Sequence, residues 1–353
     1  MKTTLLAVAI VCVAIGTISR AADQGTIAYW SADDLKTGHV ANMPFQTSTH
    51  AFNVVRVRPS DSRPAESHEG TTDVLFVVSG TGHVTAGGRI DGGAPLPKMP
   101  GEVRGKSISG GQNYALTRNA VINIPPSTPY LVQAEGSDLT IVRLKINVGM
   151  HPWSIVSTQQ TTLGATSTHP AVAVPTNGRQ GDVVYWSGES LTKAHTSLLA
   201  AADAGKPFND PRDYVMLPAT PTHAYNFLHR RMGANGQPPG VEYHQANTDI
   251  YFIVAGTGTV MTEGTIENRE PIPGRPGEDR GTLIKNGRGL KVKAGDVINM
   301  PPNTPHQSIP DPKGFSYMLV KVNVGRYPWE LIDKSAGRAG RADVVSGFSR
   351  TSL

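Results

Sequence analysis

The sequence predicts an all-β protein in which one domain occurs twice. The chain of 353 residues contains 38 glycines and 27 prolines, a composition that favours short strands joined by turns over long helices. The pattern E-x-H-x4-D-x6-G occurs at 66–80 and again, 176 positions later, at 242–256. Each copy carries an apolar run, DVLFVVS or DIYFIVA, and in both copies this run is followed by the turn sequence Gly-Thr-Gly. These observations together predict two β domains of about 150 residues each.

The first 21 residues have the features of a secretory signal peptide. MKTT supplies the positive charge, LLAVAIVCVAIG is a 12-residue apolar core, and Ser19-Arg20-Ala21 fits a small-x-small cleavage site. The core is too short to span a bilayer. We therefore predict that residues 1–21 are removed, which gives a periplasmic or secreted protein with no membrane contact. Cys12, the single cysteine, is removed with them, so disulfide and thiol chemistry are not expected.

The charge pattern argues against a nucleic-acid partner. The formal net charge is +5, and the sequence has no dense stripe of lysine and arginine of the kind that neutralises a phosphate backbone. A small molecule is the expected ligand or substrate. Self-association into a homo-oligomer is compatible with the sequence.

The repeat extends well beyond the first pattern, which indicates a duplicated domain. The matching pairs are Ile27-Ala-Tyr-Trp-Ser31 with Val183-Val-Tyr-Trp-Ser187, His50-Ala-Phe-Asn53 with His223-Ala-Tyr-Asn226, Pro100-Gly-Glu-Val-Arg-Gly105 with Pro276-Gly-Glu-Asp-Arg-Gly281, and Val121-Ile-Asn-Ile-Pro-Pro126 with Val297-Ile-Asn-Met-Pro-Pro302. The main helical candidate is 191–204, with a shorter counterpart at 32–37.

The repeat also sets the predicted domain limits. We place the N-terminal domain at 25–155 and the C-terminal domain at 181–332. The segment 156–180 is rich in Thr, Ser, Ala and Gly and is the predicted linker. Residues 333–353 form a tail.

The C-terminal pattern carries residues that can ligate a metal. In a strand, positions two apart point to the same face, so Glu242 and His244 should project together. Asp249 follows after a polar stretch that can form a turn, and His306 follows a turn, a strand and a second turn. Two imidazoles and two carboxylates that converge in a barrel could hold Mn, Fe, Zn, Co or Ni, and mixed N/O donors leave the choice open.

The spacing resembles that of the cupin superfamily, G-x5-H-x-H-x4-E-x6-G followed by P-x-G-x2-H. The resemblance covers both halves of the chain and implies a secreted bicupin, with two jelly-roll (cupin) β-barrels in tandem. By position, Glu242 and His244 stand for the two histidines of the first motif, Asp249 stands for its glutamate, and His306 for the histidine of the second. A carboxylate in place of an imidazole favours Mn or Fe over softer ions.

The N-terminal copy departs further from the cupin pattern. It has Glu66, His68 and Asp73, but Tyr130 occupies the position equivalent to His306. The ordinary pKa of tyrosine, about 10, makes a tyrosinate ligand unfavourable without help. We therefore predict that the N-terminal site is degenerate and that the full ligand set survives only in the C-terminal copy.

Two further features have structural interpretations. The segments between the cupin motifs are 45 positions long in both copies, unusually long for a tight barrel. They could be a lid with Arg104 or Arg280 on the substrate, a subunit interface or a structural turn, and we favour the last. His50 and His223 are expected to be buried and bonded to backbone.

Two classes of function are favoured over a third, a structural or storage role. The first is a divalent-metal-dependent enzyme of oxygenase, lyase, isomerase or decarboxylase type, acting on a small oxygenated organic molecule in the C-terminal barrel. Glu242 would then be a ligand, a proton-transferring base or a group that orients His244. The second is a periplasmic barrel that binds a small ligand or a metal without turnover. Without an ion, Glu242 and Asp249 are expected to repel, so that one of them takes up a proton.

Overall fold

The computed structural model describes residues 26–37, 45–47, 49–97, 99–148, 183–203, 215–216, 222–233 and 235–324. The predicted signal peptide, linker and tail lie outside these residues. Among the described residues, no helix is long and apolar enough to cross a membrane.

The N-terminal repeat consists of one short helix and fourteen strands within its described part. They are β1 (Ala28–Trp30), α1 (Ala32–Thr37), β2 (Phe45–Gln46), β3 (His50–Val57), β4 (Ala65–His68), β5 (Thr71–Ser79), β6 (Gly82–Ala86), β7 (Arg89–Asp91), β8 (Ala94–Pro95), β9 (Glu102–Gly105), β10 (Ser107–Ser109), β11 (Gln112–Leu116), β12 (Val121–Ile124), β13 (Tyr130–Ala134) and β14 (Leu139–Asn147).

The C-terminal repeat follows the same order, with a longer helix and two very long strands. Its described elements are β15 (Val184–Trp186), α2 (Gly188–Asp203), β16 (Val215–Met216), β17 (His223–Arg230), β18 (Val241–His244), β19 (Asn247–Thr262), β20 (Thr265–Glu267), β21 (Glu270–Pro271), β22 (Glu278–Gly281), β23 (Leu283–Lys285), β24 (Arg288–Lys293), β25 (Val297–Met300) and β26 (His306–Asn323). The all-β prediction is confirmed, and both predicted helices are present.

Two six-stranded sheets form the N-terminal barrel. Their strand orders are β11-β6-β13-β4-β9-β8 and β15-β12-β5-β14-β3-β2. Apolar side chains from both sheets fill the space between them, among them Leu75 and Ile122 from one sheet and Val84 from the other, each at most 1% exposed. Because β-branched and aliphatic residues pack well on a pleated surface, these runs form strands that are buried on one or both faces.

In the C-terminal barrel, β19 and β26 are long enough to belong to both walls of the barrel. Their pairing register shifts between Ile253 and Ala255 and again between Gly256 and Gly258. Gly256 has a φ of 78°, and a Cβ at this position would collide with the backbone of Gly314. The turn glycine of the repeated motif is therefore required by the corner at which the strands change walls.

The first strand of each repeat pairs with the other repeat. β1 is antiparallel to β25, with Tyr29 opposite Ile298, and β15 is antiparallel to β12, with Tyr185 opposite Ile122. Asp296 holds the N-terminal arm, β1 and the start of α1, against the C-terminal barrel. Its carboxylate accepts hydrogen bonds from the Ala32 amide at 2.7 Å and the Tyr29 hydroxyl at 3.0 Å. The two barrels are thus joined by exchanged strands.

A shared core lies between the barrels. Phe76 and Phe252 stack with ring centroids 4.8 Å apart, within a cluster of buried residues from both repeats. His50 and His223 are fully buried, as expected. For His50 the expectation of a bond from its ring to backbone is wrong, because its ring nitrogens contact side chains. The Nε2 atom of His50 lies 2.7 Å from Oδ1 of Asn299 in the other barrel, so it satisfies a polar group across the interface.

The long segments between the two repeated motifs of each copy fold back along the barrels. β9 pairs with β4 and β22 pairs with β18, which extends each sheet next to the E-x-H pattern. Gln307 fixes the second segment, because its amide donates to the Pro239 and Thr282 carbonyls at 2.9 and 3.1 Å. These segments thus extend the wall of each barrel, and each also supplies a glutamate to the barrel interior.

Candidate metal centre

Three strands of the C-terminal barrel bring together the four residues that the sequence singled out. Glu242 and His244 lie two positions apart on β18, and Glu242 stands directly opposite His306 on β26. Asp249 enters from the neighbouring β19. One ligand atom from each of the four residues lies within 4.8 Å of the others, so the predicted residues form one cluster inside the barrel.

His306 presents a bare ring nitrogen to this cluster. Its Nδ1 lies 3.0 Å from the carbonyl oxygen of Thr304, which can only accept, so Nδ1 carries the hydrogen. Its Nε2 is buried without a hydrogen-bond partner, 3.8 Å from Glu242 Oε2 and 3.7 Å from Asp249 Oδ2. Burial and the neighbouring His244 lower the pKa of His306, which keeps this nitrogen available as a lone pair.

His244 is oriented by Glu278, a residue that sequence analysis did not select. The Nδ1–H of His244 donates to Glu278 Oε2 at 2.5 Å, and the two residues are register partners on β18 and β22. Burial and the Lys321 ammonium lower the pKa of His244, but Asp249 and Glu278 outweigh them and raise it to about 9. The repeated Pro-Gly-Glu-x-Arg-Gly segment could have indicated this residue, because its glutamate bonds to the histidine in both barrels.

Both carboxylates of the cluster are paired with cations. Arg230 donates to Glu242 Oε1 and Oε2 at 3.1 and 3.2 Å, and the Lys321 ammonium lies 2.9 and 3.2 Å from the two oxygens of Asp249. Burial raises the pKa of Glu242, but Arg230 and His244 lower it more, to about 2. The expectation that one carboxylate takes up a proton is therefore wrong, because β17 and β26 supply compensating charges.

The N-terminal barrel repeats this arrangement with a tyrosine in place of the histidine. Tyr130 stands opposite Glu66 on β13 and β4, and His68 donates from Nδ1 to Glu102 at 2.5 Å. The Tyr130 hydroxyl donates to Asp73 Oδ2 at 2.6 Å and lies 3.2 Å from His68 Nε2. Tyr130 thus contacts Asp73 and His68 directly, and Glu66 is linked to Tyr130 through Arg143, which bonds to both.

Two cations occupy the remaining space in the N-terminal cluster. Arg143 donates to Glu66 at 2.9 Å and to the Tyr130 hydroxyl at 3.1 Å, and Lys145 lies 3.3 Å from Asp73. Burial and the adjacent carboxylates raise the pKa of Tyr130, so its hydroxyl remains a hydrogen-bond donor. The geometry is that of a closed hydrogen-bonded network, and the weaker metal binding of this copy stays a prediction.

The similarity of this chain to known proteins lies in its fold and not in its sequence. No protein-family model and no curated protein matches the sequence. Among solved structures, a salicylate 1,2-dioxygenase from Pseudoaminobacter salicylatoxidans superimposes with a TM-score of 0.50 at 14% identity, covering 85% of this chain and 84% of that one. The same enzyme with gentisate superimposes with a TM-score of 0.50 at 14% identity, covering 87% of this chain and 83% of that one.

This chain has the bicupin fold. A sequence identity of 14% establishes the fold alone. The chemistry of the C-terminal cluster of Glu242, His244, Asp249 and His306 depends on its own residues. That cluster fits a divalent ion in three respects. It has two imidazole and two carboxylate donors within 4.8 Å, one lone pair that nothing else satisfies, and a carboxylate behind His244 that orients its ring.

A lysine side chain also lies within this C-terminal cluster. The ammonium of Lys321 contacts Asp249 and lies 3.3 Å from His244 Nε2. Lys321 stands directly opposite Asp249 on β26 and β19, which places its ammonium beside the ligand atoms. A divalent ion bound by all four ligands therefore requires this side chain to move.

Proposed function

We propose that this chain is a divalent-metal-dependent cupin enzyme of oxygenase type that acts on a small oxygenated organic molecule. The ion would be held by Glu242, His244, Asp249 and His306 in the C-terminal barrel. The observation that carries the proposal is the buried, unbonded Nε2 of His306, which faces two carboxylate oxygens at 3.7 and 3.8 Å. A lone pair directed at anionic oxygens is unfavourable unless a cation lies between them.

The donor set supports the choice of ion. Two carboxylates and two imidazoles form a harder ligand set than a cluster of histidines, which favours Mn or Fe. When bound, the ion would polarise a carbonyl or carboxylate oxygen of the substrate. The oxygenase type is suggested by the structural similarity to a salicylate 1,2-dioxygenase, and the gentisate bound to that enzyme suggests a small aromatic acid as substrate class.

Glu242 is the residue of the cluster best placed to meet a substrate. Its side chain is 26% exposed, whereas those of His244, Asp249 and His306 are at most 8% exposed. The ion pair with Arg230 keeps the carboxylate ionised and lowers its basicity, so Glu242 would accept a proton only from an acidic hydroxyl of a bound substrate. Tyr251 and Tyr317 pack beside the cluster with ring centroids 4.7 Å apart and limit the access of water from that side.

The proposal is tested by oxygen uptake with hydroxylated aromatic acids, beginning with gentisate. Full-length chain loaded with Fe²⁺ or Mn²⁺ should consume O₂ as the ring absorbance of the substrate is lost. His306→Ala should do neither. Glu242→His should retain the ion without restoring turnover, and Glu242→Gln should also lose turnover. Activity of Glu242→His close to that of the wild type would show that Glu242 is only a ligand, and absence of O₂ uptake across the panel would exclude the oxygenase type.

The second candidate, a barrel that binds a small ligand without turnover, is favoured by a different observation. Arg230 and Lys321 already neutralise the two carboxylates, so the cluster is electrostatically balanced by its own residues. Recovery of a bound small acid unchanged from the metal-loaded protein would support this candidate over the enzyme.

Export is proposed on the strength of the signal-peptide pattern. The mature chain should begin after Ala21 or close to it and reside in the periplasm or outside the cell. Mass spectrometry of the N-terminus of exported material measures this directly. Recovery of exported protein that still begins at Met1 would contradict it.

A further inference from the structure

Lys321 holds a position that a bound ion would also need. Its ammonium lies 2.9 Å from Asp249 Oδ1, 3.2 Å from Asp249 Oδ2 and 3.3 Å from His244 Nε2. It therefore contacts two of the four residues that would ligate the ion. The site already contains a cation, and that cation is covalently attached to the barrel.

The fold holds this ammonium in place. Lys321 and Asp249 are cross-strand partners on β26 and β19, so the ion pair follows from the strand register. The Lys321 side chain is 14% exposed and that of Asp249 is 1% exposed. In such surroundings the attraction between opposite charges is strong, and so is the repulsion between like charges.

The N-terminal barrel contains an equivalent of Lys321 but has Tyr130 in place of His306. Lys145 stands opposite Asp73 on β14 and β5, 176 positions before Lys321, and lies 3.3 Å from that carboxylate. The Tyr130 hydroxyl also donates to Asp73 at 2.6 Å. Removal of Lys145 would still leave Asp73 bonded to Tyr130 and Glu66 bonded to Arg143, so this barrel provides a matched control.

We propose that Lys321 is a tethered cation that competes with a divalent ion for Asp249 and His244, and that it thereby sets the metal affinity of the C-terminal barrel. The ion enters only as the ammonium withdraws from these ligand atoms, and the energy of the displaced ion pair is subtracted from the binding energy of the metal. This inference rests on the proposed metal site, and it assigns to Lys321 a role in metal affinity that the ligand set alone does not supply.

The test is a Mn²⁺ titration of the full-length chain, followed by calorimetry and by the electron paramagnetic resonance signal of free Mn²⁺. Lys321→Met should bind Mn²⁺ at least about tenfold more tightly than the wild type, because the competing charge is gone. Lys321→Gln, a second uncharged variant, should also bind more tightly. Lys321→Arg keeps the charge and should show no gain, and Lys145→Met should remain within about twofold of the wild type.

The outcomes separate this inference from the proposed function. If the wild type binds Mn²⁺ and both uncharged variants bind with equal or lower affinity, the competition is refuted while the metal site stands. If only the uncharged variants bind, the competition is supported and the proposed metal dependence of the wild type fails. If no variant binds, both fail. A gain in Lys321→Met that persists when His306→Ala is added would place the new ion elsewhere and would also refute the inference.

Discussion

The hydrogen bond between Glu278 and His244 offers a test in which the molecule provides its own control. Replacing Glu278 with Gln keeps a carbonyl oxygen that can accept from His244 Nδ1 but removes the negative charge that makes the ring a better ligand. The same bond occurs in the N-terminal barrel between Glu102 and His68. Both bonds are 2.5 Å long, and both glutamates are at most 4% exposed.

The magnitude follows from this geometry. Loss of a carboxylate behind a ligating histidine costs about 10- to 100-fold in metal affinity, equivalent to about 1.4–2.7 kcal/mol. Glu278→Gln should therefore weaken Mn²⁺ binding by about that factor. Glu102→Gln should leave the affinity unchanged, because the N-terminal cluster is closed by Tyr130 and Arg143. Both variants should lose a similar free energy of unfolding, about 1 kcal/mol.

The assay is calorimetric titration of Mn²⁺ into each full-length variant, with urea denaturation as the control for folding. A Glu278→Gln variant that binds within about twofold of the wild type would show that Glu278 has only a packing role. An equal loss of affinity in Glu102→Gln would show that the effect arises from general destabilisation or from a metal in the N-terminal barrel. Either result would refute the reasoning.

Three further predictions concern the barrel interface and the N-terminal cluster. Asp296→Ala removes the acceptor of the Ala32 amide at 2.7 Å and should lower the free energy of unfolding by about 1–3 kcal/mol, measured by urea denaturation; no change would mean that the exchanged arm contributes little. Burial lowers the pKa of His50 to about 4. The unfolded chain therefore binds a proton below pH 6.5 that the folded chain does not, so stability should fall with decreasing pH by about 1 kcal/mol per unit between pH 6 and 4.5. His50→Gln should remove that part of the slope, and an unaltered slope would contradict the assignment. Tyr130→His should not create a second metal site, since Arg143 still holds Glu66 at 2.9 Å; a second equivalent of bound Mn²⁺ in this variant would show that the histidine alone was missing.

The fold could be predicted from the sequence because its determinants are local and repeated. Apolar runs such as 74–79 and 250–255 predict strands, and the constant spacing between copies predicts two domains. The sequence does not predict which barrel the first strand of each repeat pairs with. Ile27–Ser31 and Val183–Ser187 are so similar that either could pair with either barrel, and only the packing between barrels selects the exchange.

Only the residues of the repeated motif could be predicted as members of the site. Glu242, His244, Asp249 and His306 are brought together by the strands that the motif defines. Lys321 is 72 positions from Asp249, yet its counterpart Lys145 recurs at the same spacing as the motif, so the repeat contained a signal for it.

The arginines contained no such signal. Arg143 lies on β14, the last strand of its repeat, whereas Arg230 lies on β17, the first long strand of the other. Each neutralises a glutamate from a position that the other copy fills with an apolar residue. Such pairing depends on where side chains meet inside the barrel and is not visible in the spacing of either repeat.

The central claim is that a divalent ion belongs in the C-terminal barrel, held in part by the free Nε2 of His306. The most direct measurement is the metal content of the full-length chain purified without a chelating tag and then dialysed against Mn²⁺ and Fe²⁺. Elemental analysis should find one equivalent per chain in the wild type and in Tyr130→Ala, and none in His306→Ala. A wild type that retains no metal, or a His306→Ala variant that retains as much as the wild type, would contradict the claim.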